Sequence, residues 1–204
     1  LRTVFTGNTL EPVSPIFVGK TPRLSNKKAV SGENIRMLDE EFYKITNYDA
    51  MEPFFMSVVS SSNHWMFISS TGGLSAGRIN ANHALFPYYT VEKLTENNEN
   101  TGAKSLFLVT TGGKTSLWEP FSVRQEGIYA TERNLYKNIA GNVLIFEEIN
   151  RDLELSFRYA WRSGDRFGFV KTSWLSNTGS AACSVEALDG LQNLMPAHTS
   201  EQSQ

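Results

Sequence analysis

The sequence predicts an all-β protein that is mostly antiparallel and has few short helices, and three observations point to this class. Large apolar side chains alternate with polar ones along residues 153–161. Two adjacent glycines separate short apolar runs at residues 112–113, and turn-forming residues recur between strand-like runs from residue 53 onward. Alternation of period two is the pattern of a strand with one buried face. Many short strands at close spacing are typical of a large antiparallel sandwich.

The first strand-like runs form two predicted hairpins. Residues 53–60 are an apolar run of strand length, and residues 64–69 are the predicted return strand beyond a short polar turn. Residues 105–111 and 114–118 flank the two adjacent glycines. Because glycine adopts the positive φ angles that a two-residue hairpin turn requires, the second turn signal is strong.

The clearest hairpin pattern covers residues 142–161. Residues 142–149 lead into a polar turn, after which alternation places five large side chains on one face of the return strand: Leu153, Leu155, Phe157, Tyr159 and Trp161. Burial of side chains of this size contributes about 1.5–3 kcal/mol each before conformational entropy is subtracted. Two further strands are predicted at residues 167–175 and 182–188.

Three regions are expected along the chain. Prolines and glycines punctuate residues 1–34, which favours an extended N-terminal arm. Residues 35–196 form the predicted β-sandwich domain, and residues 197–204 form a predicted disordered tail. Within the domain, residues 35–48 fit either a short helix or a strand, and the pattern leaves both open. We expect the domain to be a fragment of a longer protein.

Composition argues against several classes of partner. Lys plus Arg number 19 and Asp plus Glu number 21, so the formal net charge of -2 provides no basic field for a nucleic acid. No apolar run reaches the length of a membrane-spanning helix, so no membrane partner is expected. Cys183 is the single cysteine, which leaves no internal disulfide and favours a reducing compartment such as the cytoplasm.

No complete catalytic motif is present. The run that begins at Gly112 resembles the end of a phosphate-binding loop, but the glycine that should open the loop is replaced by Leu108 within a predicted strand. The three histidines lack metal-ligand spacing, and no serine elbow motif occurs. Glu147 and Glu148 are adjacent, so in a strand they point to opposite faces, and we interpret them as solvated surface charge. We therefore predict no catalytic residue, metal or cofactor for this chain alone.

The segment 72–89 is rich in side chains that suit carbohydrate. Sugars are held by amides, guanidinium groups and aromatic faces, because hydroxyls need fixed donors and acceptors and C–H faces favour rings. The alternative is a long structured loop whose polar groups satisfy one another, and both interpretations stay open. The candidate contacts to carbohydrate or to another module are Arg78, Asn80, Asn82, His83, Tyr88, Tyr89 and Trp118.

Several motifs occur in an order that resembles one enzyme family. They are HWMFISSTGGLSAGR at residues 64–78, ALFPYY at 84–89, KTSLWEP at 114–120, SWLSNTG at 173–179 and VEALDGLQNLMP at 185–196. Together they resemble the N-terminal domain of glycoside phosphorylases of the cellobiose phosphorylase type, over roughly residues 50–196. The resemblance implies a galactose-mutarotase-like β-supersandwich. It also implies that a separate (α/α)6 barrel, which nothing in this sequence matches, holds the catalytic acid and the phosphate-binding groups.

Three hypotheses about function follow. The first is a non-catalytic N-terminal β-sandwich domain of a carbohydrate-active protein, a glycoside phosphorylase or hydrolase, which shapes the substrate entrance. Its expected partners are the C-terminal catalytic module, weakly bound carbohydrate and a second copy of the chain. The second is a free-standing carbohydrate-binding module. The third is an aldose-mutarotase-like epimerase, in which His64 or His83 would act with a glutamate.

Overall fold

The computed structural model describes residues 28–166 and 168–203, together with three short strands nearer the N-terminus, β1 (Thr3–Thr6), β2 (Thr9–Pro12) and β3 (Ile16–Phe17). β1 and β2 pair antiparallel with each other. Half of the predicted N-terminal arm at residues 1–34 therefore lies outside the described residues. Its last residues belong to a strand of the sandwich.

The described strands form three sheets besides the β1–β2 pair. The remaining strands are β4 (Ser31–Met37), β5 (Glu40–Thr46), β6 (Phe55–Ser57), β7 (His64–Ser69), β8 (Leu74–Arg78), β9 (Ala84–Phe86), β10 (Gly102–Thr111), β11 (Lys114–Trp118), β12 (Thr131–Asn138), β13 (Val143–Asn150), β14 (Leu155–Gly164), β15 (Gly168–Asn177) and β16 (Ser184–Gln192). The large sheet has the order β15-β14-β13-β12-β5-β4, the meander sheet β6-β7-β8-β9, and the closing sheet β16-β10-β11-β3. The pairings of these sheets are antiparallel apart from β3 with β11.

The main core lies between one face of the large sheet and the inner faces of the other two sheets. The large sheet contributes Leu135, Leu144, Phe146, Leu155, Phe157, Tyr159 and Trp161, the meander sheet contributes Met56, Met66, Ile68, Leu74, Ala76 and Phe86, and the closing sheet contributes Phe107, Val109 and Trp118. The predicted common face of the third hairpin is thus confirmed. Leu153 precedes β14 and is partly buried against the same core. The all-β, mostly antiparallel sandwich is also confirmed.

The hairpin between β10 and β11 has the predicted turn. Gly112 and Gly113 have φ angles of 58° and 78°, so both central residues are left-handed, as a type I′ turn requires. The two strands pair from Thr111 with Lys114 through to Phe107 with Trp118.

Several element assignments differ from the sequence prediction. Residues 35–48, left open above, form most of β4 and β5, and the expected strand at 53–60 is reduced to β6. β8 lies in a segment that the sequence suggested was a loop on the surface, yet its first four residues are buried. Among the described residues, the single α-helix is α1 (Val91–Glu96), and no described helix has the length and apolar character needed to cross a bilayer. Beyond residue 196, where a disordered tail was expected, a 3-10 turn forms at Glu201–Ser203.

Glu147 and Glu148 point to opposite faces of the large sheet, as expected, but the interpretation of both as solvated charge is wrong. Each is only 2% exposed. Glu148 lies on the core side and accepts hydrogen bonds from the Trp118 indole (2.8 Å) and from Arg133 Nε (2.7 Å). A buried carboxylate persists only when it is paired in this way, because desolvation of an unpaired charge is expensive.

Glu147 is the buried acceptor on the outer face of the same strand. It accepts hydrogen bonds from Tyr136 (2.5 Å), Asn134 (2.9 Å) and Arg158 (2.5 Å). Burial tends to raise the pKa of Glu147, but these hydrogen bonds and the charge of Arg158 outweigh burial and lower it. Asn134 and Tyr136 of β12 are therefore interior groups whose shared partner is Glu147 on β13.

Candidate functional site

Four aromatic rings form a row on the outer face of the meander sheet, and we call them the aromatic stripe. Phe55 stacks on Phe67 with ring centroids 5.4 Å apart, and Phe67 lies 5.9 Å from Trp65. Tyr88 meets the Trp65 ring edge-on at 5.6 Å. The two ends of the row are open to solvent, since Phe55 is 44% and Tyr88 49% exposed.

The alternation of β7 explains why these rings face outward. Successive side chains of a strand point to opposite faces. Met66 and Ile68 enter the core, so Trp65 and Phe67 must lie on the other side of the sheet. The same period places Met56 inside and Phe55 outside on the neighbouring strand β6.

Gly77 makes room for the central indole. It pairs directly with Trp65 across the β7–β8 ladder. A Cβ at residue 77 would lie 2.5 Å from Trp65 Cζ2 and 2.7 Å from the His83 carbonyl oxygen. Only glycine fits between these neighbours, so the indole can lie against the backbone of β8.

The polar turn after β8 is organised by its own side chains. Asn80 Oδ1 accepts a hydrogen bond from the Asn82 N–H (3.1 Å) and lies 2.9 Å from His83 Nδ1. Asn82 Oδ1 accepts from the N–H of Glu201 (2.9 Å), which ties the C-terminal segment to this turn. For these three residues the structure thus matches the alternative in which polar groups satisfy one another.

The other predicted residues are distributed over different surfaces. Arg78 is exposed at the end of β8 and pairs with His64, one position beyond the Trp65–Gly77 pair, so it projects from the opposite face. Tyr88 belongs to the stripe. The Tyr89 ring lies 5.5 Å from Lys93 Nζ.

Trp118 is not a surface contact. Its side chain is fully buried, and its indole N–H donates to Glu148 inside the core. The alternation of β11 turns this residue toward the large sheet, so a ligand at the surface cannot reach it.

Among the described residues, neither candidate histidine contacts a carboxylate. His64 Nδ1 lies 2.5 Å from the Ser62 hydroxyl, and its ring meets Phe169 edge-on at 5.2 Å. His83 contacts Asn80, as described above. In the part of the chain that the structure describes, no group of His, Cys, Asp and Glu has the arrangement of a metal site.

Sequence reasoning missed three members of the stripe. Phe55, Trp65 and Phe67 were included in a predicted hairpin without assignment to a face. Their signal was present in the sequence, because period two separates them from Met56, Met66 and Ile68 once one methionine is placed in the core.

Comparison with known proteins identifies no relative of this chain. Neither a scan against protein-family models nor a search of curated proteins finds a match for this chain.

Proposed function

We propose that this chain is a non-catalytic β-sandwich domain of a carbohydrate-active protein, and that its aromatic stripe contacts carbohydrate. The observation that supports the proposal is the row of four rings on the outer face of the meander sheet. Aromatic rings exposed in a contiguous row are typical of interaction surfaces, because monomeric proteins rarely leave large apolar patches open to water.

The chemistry of the stripe suits a saccharide. Flat rings present apolar faces that complement the C–H faces of pyranose rings, and they lose little rotamer freedom on binding. The stripe rings also support one another, which keeps the surface rigid and lowers the entropic cost of binding.

The contacts of the stripe and of the two histidines support the non-catalytic part of the proposal. Glycoside chemistry needs a positioned acid together with a nucleophile, a base or a bound phosphate. The ring contacts of the stripe are aromatic, and the two histidines contact Ser62 and Asn80. In the parent protein, as the resemblance to cellobiose phosphorylase-type enzymes implies, the catalytic groups would come from the separate barrel module.

A binding experiment tests the proposal directly. Isothermal titration with cello-oligosaccharides, manno-oligosaccharides and xylo-oligosaccharides should detect weak binding of at least one series, with a Kd on the order of millimolar. Trp65→Ala should weaken that binding about tenfold or more, because it removes the centre of the stripe. Trp174→Ala is the matched control, since Trp174 is an exposed tryptophan on β15 of the large sheet. Equal effects of the two substitutions, or no binding of any series, would contradict the proposal.

An activity assay tests the non-catalytic assignment. The purified chain is mixed with cellobiose and phosphate, and separately with freshly dissolved α-glucose or α-galactose. We expect neither release of sugar phosphate nor faster interconversion of anomers. Activity that His64→Ala or His83→Ala abolishes would instead favour the phosphorylase or epimerase alternative.

A further inference from the structure

A pocket of about 150 Å³ opens beside the buried Arg133–Glu148 pair and shares no residue with the aromatic stripe. Five separate segments build it: the 3-10 turn Tyr48–Ala50 with the residues just after it, the turn after β7, the residues after α1, the loop between β11 and β12, and β12 itself. The lining residues that matter most are Asp49, Thr71, Asn98, Phe121, Glu126 and Arg133.

Charge in this pocket is nearly balanced. Arg133 Nε donates to Glu148 at 2.7 Å, so its positive charge is neutralised by a carboxylate that is itself buried. Asp49 accepts from Lys28 Nζ at 2.8 Å. The remaining formal charge at the lining is that of Glu126, which is negative. A phosphate or sulfate would therefore meet repulsion rather than a free cation.

Phe121 forms an apolar wall that is held in an unusual backbone conformation. Its φ angle is 65°, in the left-handed region that a bulky residue rarely adopts. The Phe121 N–H donates to Glu148 Oε2 at 2.8 Å, and the ring meets Tyr159 edge-on at 5.3 Å. Backbone strain that surrounding contacts maintain is concentrated at ligand sites, so its position at this pocket supports a binding role.

Two polar side chains that have no partner among the described residues also line the pocket. Within residues 28–166 and 168–203, neither the Asn98 amide nor the Glu126 carboxylate makes a hydrogen bond or ion pair to a side chain or backbone group. Thr71 adds a hydroxyl that is fixed by bonds to Ser69 Oγ (2.9 Å) and to the Thr95 carbonyl (3.1 Å). An amide, a carboxylate and an oriented hydroxyl together provide both donors and acceptors.

We propose that this pocket binds one small, neutral, polyhydroxylated molecule, such as a hexose or a cyclic polyol. The near-neutral lining disfavours anions, the unpartnered amide and carboxylate bind hydroxyls, and the Phe121 ring covers a C–H face. The volume has room for one small ring rather than for a chain. The proposal does not depend on the function of the aromatic stripe, because the two sites use different residues.

A two-dimensional amide NMR titration tests it. The probes are glucose, galactose, mannose and myo-inositol as neutral ligands, with glucose 1-phosphate and inorganic phosphate as anions. At least one neutral probe should shift the amide signals of Thr71, Asn98 and Glu126 at millimolar concentration, and the anions should bind more weakly. Asn98→Ala and Glu126→Ala should each weaken binding about fivefold or more, because each removes a hydrogen-bonding group from the pocket.

Matched controls separate the possible outcomes. Asn100→Ala removes the same kind of amide two residues away, outside the pocket lining, and should leave the affinity unchanged. Trp65→Ala should also leave these shifts unchanged, whereas their loss in that variant would place the sugar on the stripe. The proposal is overturned if no neutral probe shifts these amides, if phosphate binds more tightly than glucose, or if Asn98→Ala behaves like Asn100→Ala.

Discussion

At the scale of single residues, Phe157 of β14 is packed among other aromatic rings of the core. Its ring lies 5.0 Å from Phe107 and 6.2 Å from Phe121, and its side chain is 2% exposed. Phe157→Ala should lower the free energy of unfolding by about 3–5 kcal/mol, because the lost burial is compounded by a cavity. Urea denaturation measures the change. Phe55→Ala, at an exposed phenylalanine, is the control and should cost about 1 kcal/mol or less. A loss below about 1 kcal/mol for Phe157→Ala would contradict its place in the core.

The residues that the sequence did not assign correctly are mainly buried polar groups. Nothing local distinguishes a solvated glutamate from one that is paired inside a sheet. Glu147 and Glu148 acquire partners on β12 and β14 and in the loop after β11, so their burial depends on contacts distant in sequence. Polar network residues are therefore the places where pattern reasoning fails.

At the scale of elements, the β10–β11 turn allows a clean test of backbone strain. A Cβ at Gly112 or Gly113 would meet no atom within 4 Å, so substitution causes no clash. Both φ angles are positive, however, and Gly113→Ala should therefore cost about 1 kcal/mol of unfolding free energy. Gly112→Asn should cost less, since asparagine tolerates the left-handed region. Thermal denaturation of the two variants checks the order, and equal stability of both with the parent chain would contradict the assigned turn type.

Strand prediction succeeded where one face is apolar and failed where it is not. β7, β10, β11 and β14 carry alternating or continuous apolar side chains, and their positions followed from the sequence. β8 has the sequence LSAGR and β12 has TERNLYKN, and neither pattern is typical of a strand. β8 is specified by close approach of its glycine to a neighbour, and β12 by hydrogen bonds to β13, so both depend on tertiary contacts.

The candidate sites likewise contain residues that the local sequence pattern predicts and residues that only tertiary contacts bring into place. Tyr88 could be selected from the sequence because it lies in a segment of unusual composition, and the rest of the stripe followed from alternation only after the core side was known. The pocket beside Arg133 could not be predicted, because its residues come from five segments that the folded sheets bring together.

At the scale of the whole molecule, paired carboxylates determine how stability responds to acid. Burial tends to raise the pKa of Glu99, but hydrogen bonds from Lys104, the Val123 N–H and Arg124 lower it to about 2. The pKa values of Glu147 and Asp189 are also lowered by their partners, against the effect of burial. Because these folded pKa values lie below the ordinary carboxylate range, their stabilisation is complete above about pH 5 and is lost as the pH falls toward 2.

Acid titration of stability checks this expectation. The midpoint of urea denaturation, measured from pH 7 down to pH 2, should stay nearly constant above about pH 5 and then fall. Glu99→Gln should lower stability at neutral pH and make the fall below pH 5 shallower. Glu52→Gln, at an exposed carboxylate, should leave the curve unchanged. Identical acid profiles for the parent chain and Glu99→Gln would contradict the role of the network.

The pairing of β10 with β16 has a consequence for synthesis of the protein on the ribosome. Gly102 of β10 pairs with Gln192 of β16, and β5 pairs with β12. Neither the closing sheet nor the large sheet can therefore be completed until residues distant in sequence have left the ribosome. At roughly 5–20 residues per second, β10 remains an unpaired edge on the β16 side for several seconds. An open apolar edge of this kind is a template for wrong pairing. Slower translation or crowding of nascent chains should therefore increase aggregation, and binding of a chaperone to the β10–β11 hairpin during that interval should reduce it.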